Sequence, residues 1–232
     1  MNQLKKIPYH LGIIIDGNRR WAKKRHLPTI EGHRRGFNNV IKIARAARER
    51  GVKILTIYTF SSENWQRPKN EVKYLMELMA EAFSKRYIEE LLKDKIKLKV
   101  IGNKGKLPNF LQEKIEEAER LTEKGKKGIL MLAISYGGRE EIIEAVKKIV
   151  SQKIKPDEID EEMIKKYLWT GNLSYPDLII RTGGEKRLSN FLIWQSAYSE
   201  LYFSDKFWPD FGIKDLEKAF LDYSKRQRRF GR

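Results

Sequence analysis

The segment Asp16-Gly17-Asn18-Arg19-Arg20 puts one carboxylate, a turn glycine and two guanidinium groups directly behind a short apolar run, Ile13-Ile14-Ile15. A carboxylate beside arginines can hold a divalent cation together with the phosphates that the cation bridges. Taken alone, Asp16-Gly17-Asn18 also reads as an ordinary turn whose Asp or Asn caps the next helix. Two further polar groups have the same placement. Ser61, Ser62, Glu63, Asn64, Trp65 and Arg67 follow an apolar run at 54–60, and Arg181, Arg187 and Ser189 follow one at 177–180. Each has a plain alternative: Ser61-Ser62 can cap a helix, Trp65 can be core, and Arg181 can pair with Glu185. Together they offer a candidate metal carboxylate, several guanidinium groups and hydroxyls, a set suited to a substrate with two or more phosphates.

Residues so far apart in sequence need a scaffold that gathers them. Apolar runs at 13–15, 54–60, 96–101, 129–134 and 177–180 have the length and continuity of strands buried on both faces. Between them, segments at 32–50, 70–93, 108–124, 139–152 and 160–168 have helical spacing, and 213–229 forms a last helix. This alternation predicts an α/β fold, a single domain over 1–232 with a central, mostly parallel sheet flanked by helices. Alternating lysines place 96–101 near an edge. In such sheets ligands bind beyond the carboxyl ends of the strands, where the polar groups above must collect. The 70–93 helix carries Leu75, Met76, Leu78, Met79, Ala82 and Phe83, an apolar face broader than one core-facing stripe needs. Burial between the sheet and its neighbours, or in a dimer, explains this, as does the wall of a cavity for a hydrocarbon.

Lys and Arg exceed Asp and Glu by 48 − 31, or +17, which points to an anionic partner: phosphates, nucleic acid or an acidic membrane surface. The basic residues are spread widely, with a denser cluster at Lys225, Arg226, Arg228, Arg229 and Arg232. The absence of cysteine excludes disulfides, thiolate nucleophiles and Cys-ligated zinc. Three histidines (His10, His26, His33) argue against a His-rich metal site. Neither G-x-x-x-x-G-K-[ST] nor G-x-G-x-x-G nor G-x-S-x-G occurs. No stretch approaches the ~20 apolar residues of a membrane span, and the first residues do not read as a secretory signal, so a cytoplasmic location is expected.

Six blocks, taken in order, carry a resemblance: Asp16-Gly17-Asn18-Arg19-Arg20-Trp21-Ala22, Gly32-His33, residues 60–68 (Phe-Ser-Ser-Glu-Asn-Trp-Gln-Arg-Pro), Tyr136-Gly137-Gly138-Arg139, Ile180-Arg181-Thr182-Gly183-Gly184 and Arg187-Leu188-Ser189-Asn190-Phe191-Leu192. They resemble the cis-prenyltransferases, from about Pro8 to Gly231. The resemblance implies a homodimer whose subunits each carry a hydrophobic tunnel, and a magnesium-dependent condensation of isopentenyl diphosphate onto an allylic diphosphate primer, farnesyl or geranylgeranyl. The product would be a long-chain polyprenyl diphosphate, a precursor of glycosyl carrier lipid, with peripheral membrane contact at release. It implies that Asp16 is the essential carboxylate and a magnesium ligand, with Glu200 a second one. Gly17, Asn18, Arg19, Arg20 and Trp21 would hold the primer, with His33 nearby. Ser61, Ser62, Glu63, Trp65 and Arg67 would belong to a closing loop, with Asn64 at the position assigned to proton acceptance. Arg181, Arg187, Leu188 and Ser189 would grip isopentenyl diphosphate.

On this resemblance the broad face of the 70–93 helix becomes a tunnel wall, with Ile129, Met131 and Ala133 opposite. A neutral amide is a poor base, so a diphosphate oxygen, or a relay through Asn64 and Ser61, is the better proton acceptor. Three positions depart from the pattern. Thr29 stands where many members have arginine, Arg19 where bacterial members commonly have glycine, and Lys186 where some have histidine. A non-catalytic partner subunit and a nucleic-acid-binding domain are the rival readings. The first is opposed by the presence of Asp16, Asn64, Arg181, Arg187 and Glu200, the second by the setting of Trp21 and Trp65 inside a phosphate-site pattern.

Overall fold

The computed structural model describes residues 6–227; Arg228, Arg229 and Arg232 of the terminal basic cluster lie outside the described residues. Six strands form one sheet: β1 (His10–Ile14), β2 (Ile54–Ser61), β3 (Ile96–Ile101), β4 (Gly128–Tyr136), β5 (Leu178–Arg181) and β6 (Glu200–Phe203). Their order is β3-β4-β2-β1-β5-β6, and every pairing is parallel. Helices α1 (Asn18–Lys24) and α2 (Thr29–Glu49) lead from β1 to β2. Helices α3 (Lys69–Glu81) and α4 (Lys85–Lys93) lead to β3, and α5 (Asn109–Thr122) to β4. Helices α6 (Gly138–Ser151) and α7 (Glu161–Tyr167) lead to β5, and α8 (Ile213–Lys225) follows β6. The lysine-striped strand β3 is an edge, as its pattern required. Among the described residues no helix is long and apolar enough to cross a membrane.

Alternate residues of each strand feed two cores. Leu11, Ile13, Leu55, Ile57, Leu132 and Ile134 pack on one face, beneath α2, α3, α5 and α8. Ile14, Tyr58, Met131, Ala133 and Tyr136 pack on the other, against Phe191 and Leu192. A strand buried on both faces needs no polar alternation, and every residue of β1 is buried. Between β2 and β4 the register slips near Tyr58 and Phe60. Such an irregularity bends a strand and re-aims the residues beyond it, here Ser61 and the 3₁₀ turn Ser62–Gln66.

Chain order reverses at β1: β2, β4 and β3 lie to one side, β5 and β6 to the other. That topological switch opens a crevice beyond the carboxyl ends of β1 and β5. Ile14 is level with both Arg181 and Tyr58, so Asp16 emerges directly above the end of β5. Gly17, at φ +108°, makes the turn into α1. Gly32 lets α2 touch α1, since a Cβ there would stand 2.1 Å from the carbonyl oxygen of Asn18.

The expected 70–93 helix is two helices. The chain turns at residues 82–84, burying Phe83, and restarts with Ser84 at the N-cap position in extended backbone. The expected tunnel face of β4 is also corrected. Met131 and Ala133 point into the second core, Leu132 and Ile134 face α2 and α3, and of the three expected residues Ile129 alone borders a hollow, a smaller one at the amino-terminal edge of the sheet.

Candidate active site

Asp16 is the hub of the crevice. Its Oδ2 accepts from Arg181 Nη2 at 3.0 Å, and its Oδ1 lies 3.1 Å from Arg20 Nη2. Its backbone is pinned as well: the carbonyl accepts from the Thr182 hydroxyl at 2.8 Å and the Trp208 N–H at 3.0 Å. Arg181 is 5 % exposed and also donates to the Ser189 hydroxyl at 2.8 Å and to the Arg187 carbonyl. A buried guanidinium needs such partners, because desolvating an unpaired charge is costly. Arg181 Nε is buried with no protein partner. Arg20 reaches across to Glu185 at 3.2 Å.

The loop after β5 is under backbone strain. Ser189, Asn190 and Leu192 have φ of 48°, 66° and 45°. Non-glycine residues in this left-handed region persist where surrounding contacts enforce them, commonly at functional sites. The strain aims the Ser189 hydroxyl at Arg181. It also aims the Asn190 amide at Glu63 Oε1, 2.9 Å away, while its Oδ1 accepts the Arg139 N–H. Burial alone would raise the Glu63 carboxyl, but bonds from Asn190, its own backbone, Ser61 and Ser62 outweigh it and hold the group below its ordinary value.

A second charged knot lies on the other side of the mouth. Glu71 Oε1 meets His33 Nε2 at 3.1 Å, Arg67 Nη1 at 3.2 Å and Arg19 Nε at 3.7 Å. Burial lowers the His33 value, the Glu71 bond opposes this, and the cations Arg67 and Arg19 depress it further. His33 is therefore neutral at pH 7 and shares the carboxylate as a hydrogen-bond donor. Sequence reasoning missed Glu71, which sits in the first turn of α3 and reaches back to Arg67, a residue in extended backbone just before that helix. It also missed Arg139 and Asn190, which border the cavity.

Asp16 to Arg20, His33, Ser61, Glu63, Asn64, Arg67, Arg181 and Ser189 all line one cavity of 1330 Å³. This exceeds the ~300–1,000 Å³ typical of small-ligand pockets. Away from the charges its lining turns apolar: Phe37, Val40, Leu75, Met79, Ala82 and Ile134. The arrangement therefore offers a cationic mouth for phosphates and a long apolar interior for hydrocarbon.

Several expected contacts are absent. Trp21 does not border the cavity. It is buried on the inner side of α1, its indole N–H on Asp210 at 2.7 Å and Arg25 over its ring. Trp65 lies under the loop, donating to the Ser135 hydroxyl at 3.0 Å and meeting Phe60 edge-on. Ser62, Arg187 and Leu188 also stand outside the lining. Ser62 bonds Glu63, Arg187 pairs with Glu185, and Leu188 packs on the second core. Asn64 lines the cavity, but its Oδ1 accepts the Ser61 N–H at 3.1 Å and so closes the turn.

Glu200 is a correction. It opens β6 level with Leu178, three residues before Arg181, and pairs with Arg226 at 2.8 Å. At ~3.3 Å per residue this is about 10 Å toward the opposite edge of the sheet. Within the chain it cannot share a cation with Asp16. Among the described residues no group of three or more His, Cys, Asp or Glu is placed to hold a metal. Asp16 alone still suits magnesium, which binds through one or two carboxylates and takes its remaining ligands from substrate phosphates and water.

Comparison with known proteins agrees with this geometry. The family model described as "Putative undecaprenyl diphosphate synthase" matches residues 14–231. An isoprenyl transferase of Streptococcus mutans is 50% identical, with 99% of this chain and 95% of that protein covered. The Thermoplasma volcanium tritrans,polycis-undecaprenyl-diphosphate synthase (geranylgeranyl-diphosphate specific) is 49% identical, with 100% and 93% covered. Among solved structures, lavandulyl diphosphate synthase from Lavandula x intermedia, in complex with dimethylallyl diphosphate, superposes with a TM-score of 0.93 at 42% identity over 97% of this chain and 98% of that one. A probable undecaprenyl diphosphate synthase from Campylobacter jejuni gives 0.81 at 32% identity over 98% and 100%. Matches of this extent, over a cationic mouth that opens into an apolar hollow, show that the chain belongs to the undecaprenyl diphosphate synthase family of isoprenyl transferases.

Proposed function

We propose that the chain elongates an allylic diphosphate of the farnesyl or geranylgeranyl class with isopentenyl diphosphate, making a long polyprenyl diphosphate that serves as a glycosyl carrier lipid precursor. The observation that carries this is the Asp16–Arg181–Arg20 cluster at the mouth of a 1330 Å³ cavity whose interior is apolar. The mouth fits diphosphates, and the interior fits a hydrocarbon longer than either primer.

Each cycle breaks the allylic C–O bond, and the electron pair leaves with diphosphate. The double bond of isopentenyl diphosphate attacks the freed carbon, a new C–C bond forms, and a proton departs to regenerate an allylic diphosphate. Charge builds on the leaving diphosphate, where fixed donors lower the barrier most. Arg20, Arg19 and Arg67 are placed for the primer's phosphates. Arg181, braced by Ser189, is placed for those of isopentenyl diphosphate. Asp16 would hold magnesium, which when bound would supply further neutralisation of the leaving group. Asn64, already engaged with the Ser61 N–H, positions the loop, and a diphosphate oxygen takes the proton.

A homodimer belongs to this reading. On α6, Ile143, Val146 and Val150 are 54%, 46% and 69% exposed at helical spacing, an apolar stripe suited to a second copy of the chain. The product needs an apolar phase on release, and the net charge of +17 favours an anionic membrane surface. Radiolabelled isopentenyl diphosphate with each primer and magnesium tests the reaction. Lipid-soluble radioactivity of polyprenyl length is expected; no incorporation with either primer would refute it.

A further inference from the structure

The block Tyr136-Gly137-Gly138-Arg139 has no part in the reaction proposed above, yet it is built around one side chain from another segment. Gly137 occupies the N-cap position of α6 and has no side chain with which to cap it. Asn190, from the strained loop after β5, does so instead. Its carbonyl accepts the Gly138 N–H at 2.8 Å and its Oδ1 accepts the Arg139 N–H at 2.9 Å, two of the amides that a helix start leaves unpaired. With the oxygen committed to the helix, Nδ2 faces the other way, and there it donates to Glu63 Oε1 at 2.9 Å. The glycines leave room for this. A Cβ on Gly137 would stand 2.8 Å from Asn190 Nδ2 and 2.5 Å from Ser62 Oγ, and one on Gly138 would stand 3.1 Å from the Asn190 carbonyl oxygen. One residue thus joins three segments at the mouth: the loop after β5, the start of α6 and the turn Ser62–Gln66.

We propose that Asn190 is a positioning residue that latches the primer side of the mouth to its isopentenyl diphosphate side, so that binding of either diphosphate strengthens binding of the other. This rests on the reaction proposed above. Ser189, its neighbour in sequence, braces Arg181 at 2.8 Å, so a diphosphate held there fixes the backbone that carries Asn190. Glu63 belongs to the turn that ends at Arg67, one of the cations placed for the primer. Holding Glu63 therefore holds Arg67 over the cavity. The substrate that binds first orders both segments, and the second finds them ordered; coupling of this kind is reciprocal. The latch needs a side chain that accepts on one side and donates on the other while its backbone sits at φ 66°. Asparagine meets both demands, since its amide carries both kinds of group and its short side chain tolerates the left-handed region. Aspartate meets only part of them. It caps a helix equally well, but it would present a carboxylate oxygen to the Glu63 carboxylate.

The test uses the full chain with magnesium, each of the two primers in turn, and isopentyl diphosphate, a saturated analogue that has no double bond with which to attack. Calorimetry gives the affinity for the primer with and without the analogue. In the unaltered chain the analogue should tighten primer binding about tenfold, within the usual range of coupling between sites. Asn190→Asp should lose that tightening while unfolding at the unaltered temperature, because the cap on α6 survives. Adding Glu63→Gln to it should bring the tightening back, since the glutamine amide then donates to the aspartate. Asn190→Gly, which tolerates the same backbone conformation, should lose the tightening and also lower the unfolding temperature. A role confined to capping α6 would spare the coupling in Asn190→Asp and leave Glu63→Gln nothing to rescue. Independent binding of the two ligands to the unaltered chain overturns the proposal, as does unchanged coupling in Asn190→Asp or a double variant that stays uncoupled. Turnover of labelled isopentenyl diphosphate is read separately. Coupled binding without product would overturn the reaction and leave the latch standing; if neither ligand binds, both fail.

Discussion

Replacing Asp16 by alanine separates two consequences of one carboxylate. In the free protein Asp16 occupies Arg181 at 3.0 Å and Arg20 at 3.1 Å, the guanidinium groups that the proposed reaction assigns to the substrates' phosphates. A hydrogen bond to a charged group contributes about 1.5–3 kcal/mol. Diphosphate arriving without a cation must displace at least one of these bonds and faces the carboxylate's own charge. Removing the carboxylate lifts that competition, which is a gain of about 10–100-fold in affinity at 1.4 kcal/mol per decade. Turnover should move the other way, by about 10²–10³, the loss typical of one preorganised electrostatic group. Calorimetry with inorganic pyrophosphate, with magnesium and with a chelator, reads the first effect, and labelled isopentenyl diphosphate reads the second. We expect Asp16→Ala to bind pyrophosphate without metal more tightly than the unaltered chain does, and to lose most of the benefit of adding magnesium. Near-normal turnover, or an unchanged magnesium requirement for pyrophosphate binding, would refute the assignment of Asp16 as the carboxylate that trades arginine for metal.

Ala82→Leu adds bulk where the main cavity and the smaller hollow beside Lys53 and Gly128 share a wall, so chromatography should show shorter products; an unchanged distribution would mean that the chain takes another path. Asn64→Ala removes the acceptor of the Ser61 N–H and should cost about 1 kcal/mol in urea unfolding; Asn64→Asp keeps an acceptor there and should retain that stability. His10 is buried, with Nδ1 donating to the Ser174 carbonyl, so Nε2 accepts from the Thr56 hydroxyl, and burial lowers its value to about 4. The unfolded chain binds this proton near pH 6.5 and the folded chain does not, so the stabilisation is complete above pH 6.5 and is lost as pH falls toward 4. The loss is about 3 kcal/mol at 1.36 kcal/mol per unit; denaturant unfolding across that range should show it, and an imidazole titrating near 6.5 in the folded protein would contradict it.

The sheet was legible because parallel strands buried on both faces leave long apolar runs, and the site because polar turns followed those runs at Asp16, Ser61 and Arg181. What escaped did so for physical reasons. The break between α3 and α4 has neither glycine nor proline, and its one local signal, Ser84 at an N-cap, hides among residues that helices tolerate. The side of β4 that faces the main cavity could not be read, since 129–134 is apolar at every position and parity is fixed only by pairing with β2 and β3. Trp21 and Trp65 sit beside site residues in sequence, but α1 and the 3₁₀ turn rotate both indoles toward protein partners. Glu200 illustrates strand polarity. A carboxylate that opens a parallel strand lies at the edge opposite one that follows a strand's end.

That polarity also separates rate from product length. With all pairings parallel, every polar turn of the site lies at the carboxyl edge, and a smaller hollow that shares Phe37, Val40, Ala82 and Leu132 with the main cavity lies at the amino edge beside Lys53 and Gly128. Strand β2 spans the interval with eight residues, about 26 Å at ~3.3 Å each. In the proposed reaction the diphosphates are held at one end of that span while the hydrocarbon extends toward the other. A charge change at Asp16 or Arg181 therefore acts on an event that every cycle repeats and that does not register how long the chain has become. In the same reaction a change at a residue bordering the smaller hollow, such as Ile96, is met only by chains that have already crossed the sheet. Substitutions at the two edges should combine independently, because sites this far apart share no contacts. A variant altered at both edges should show the slowed rate of one parent and the length distribution of the other. Any dependence of length on the mouth residues at equal substrate supply would mean that the mouth also takes part in ending elongation.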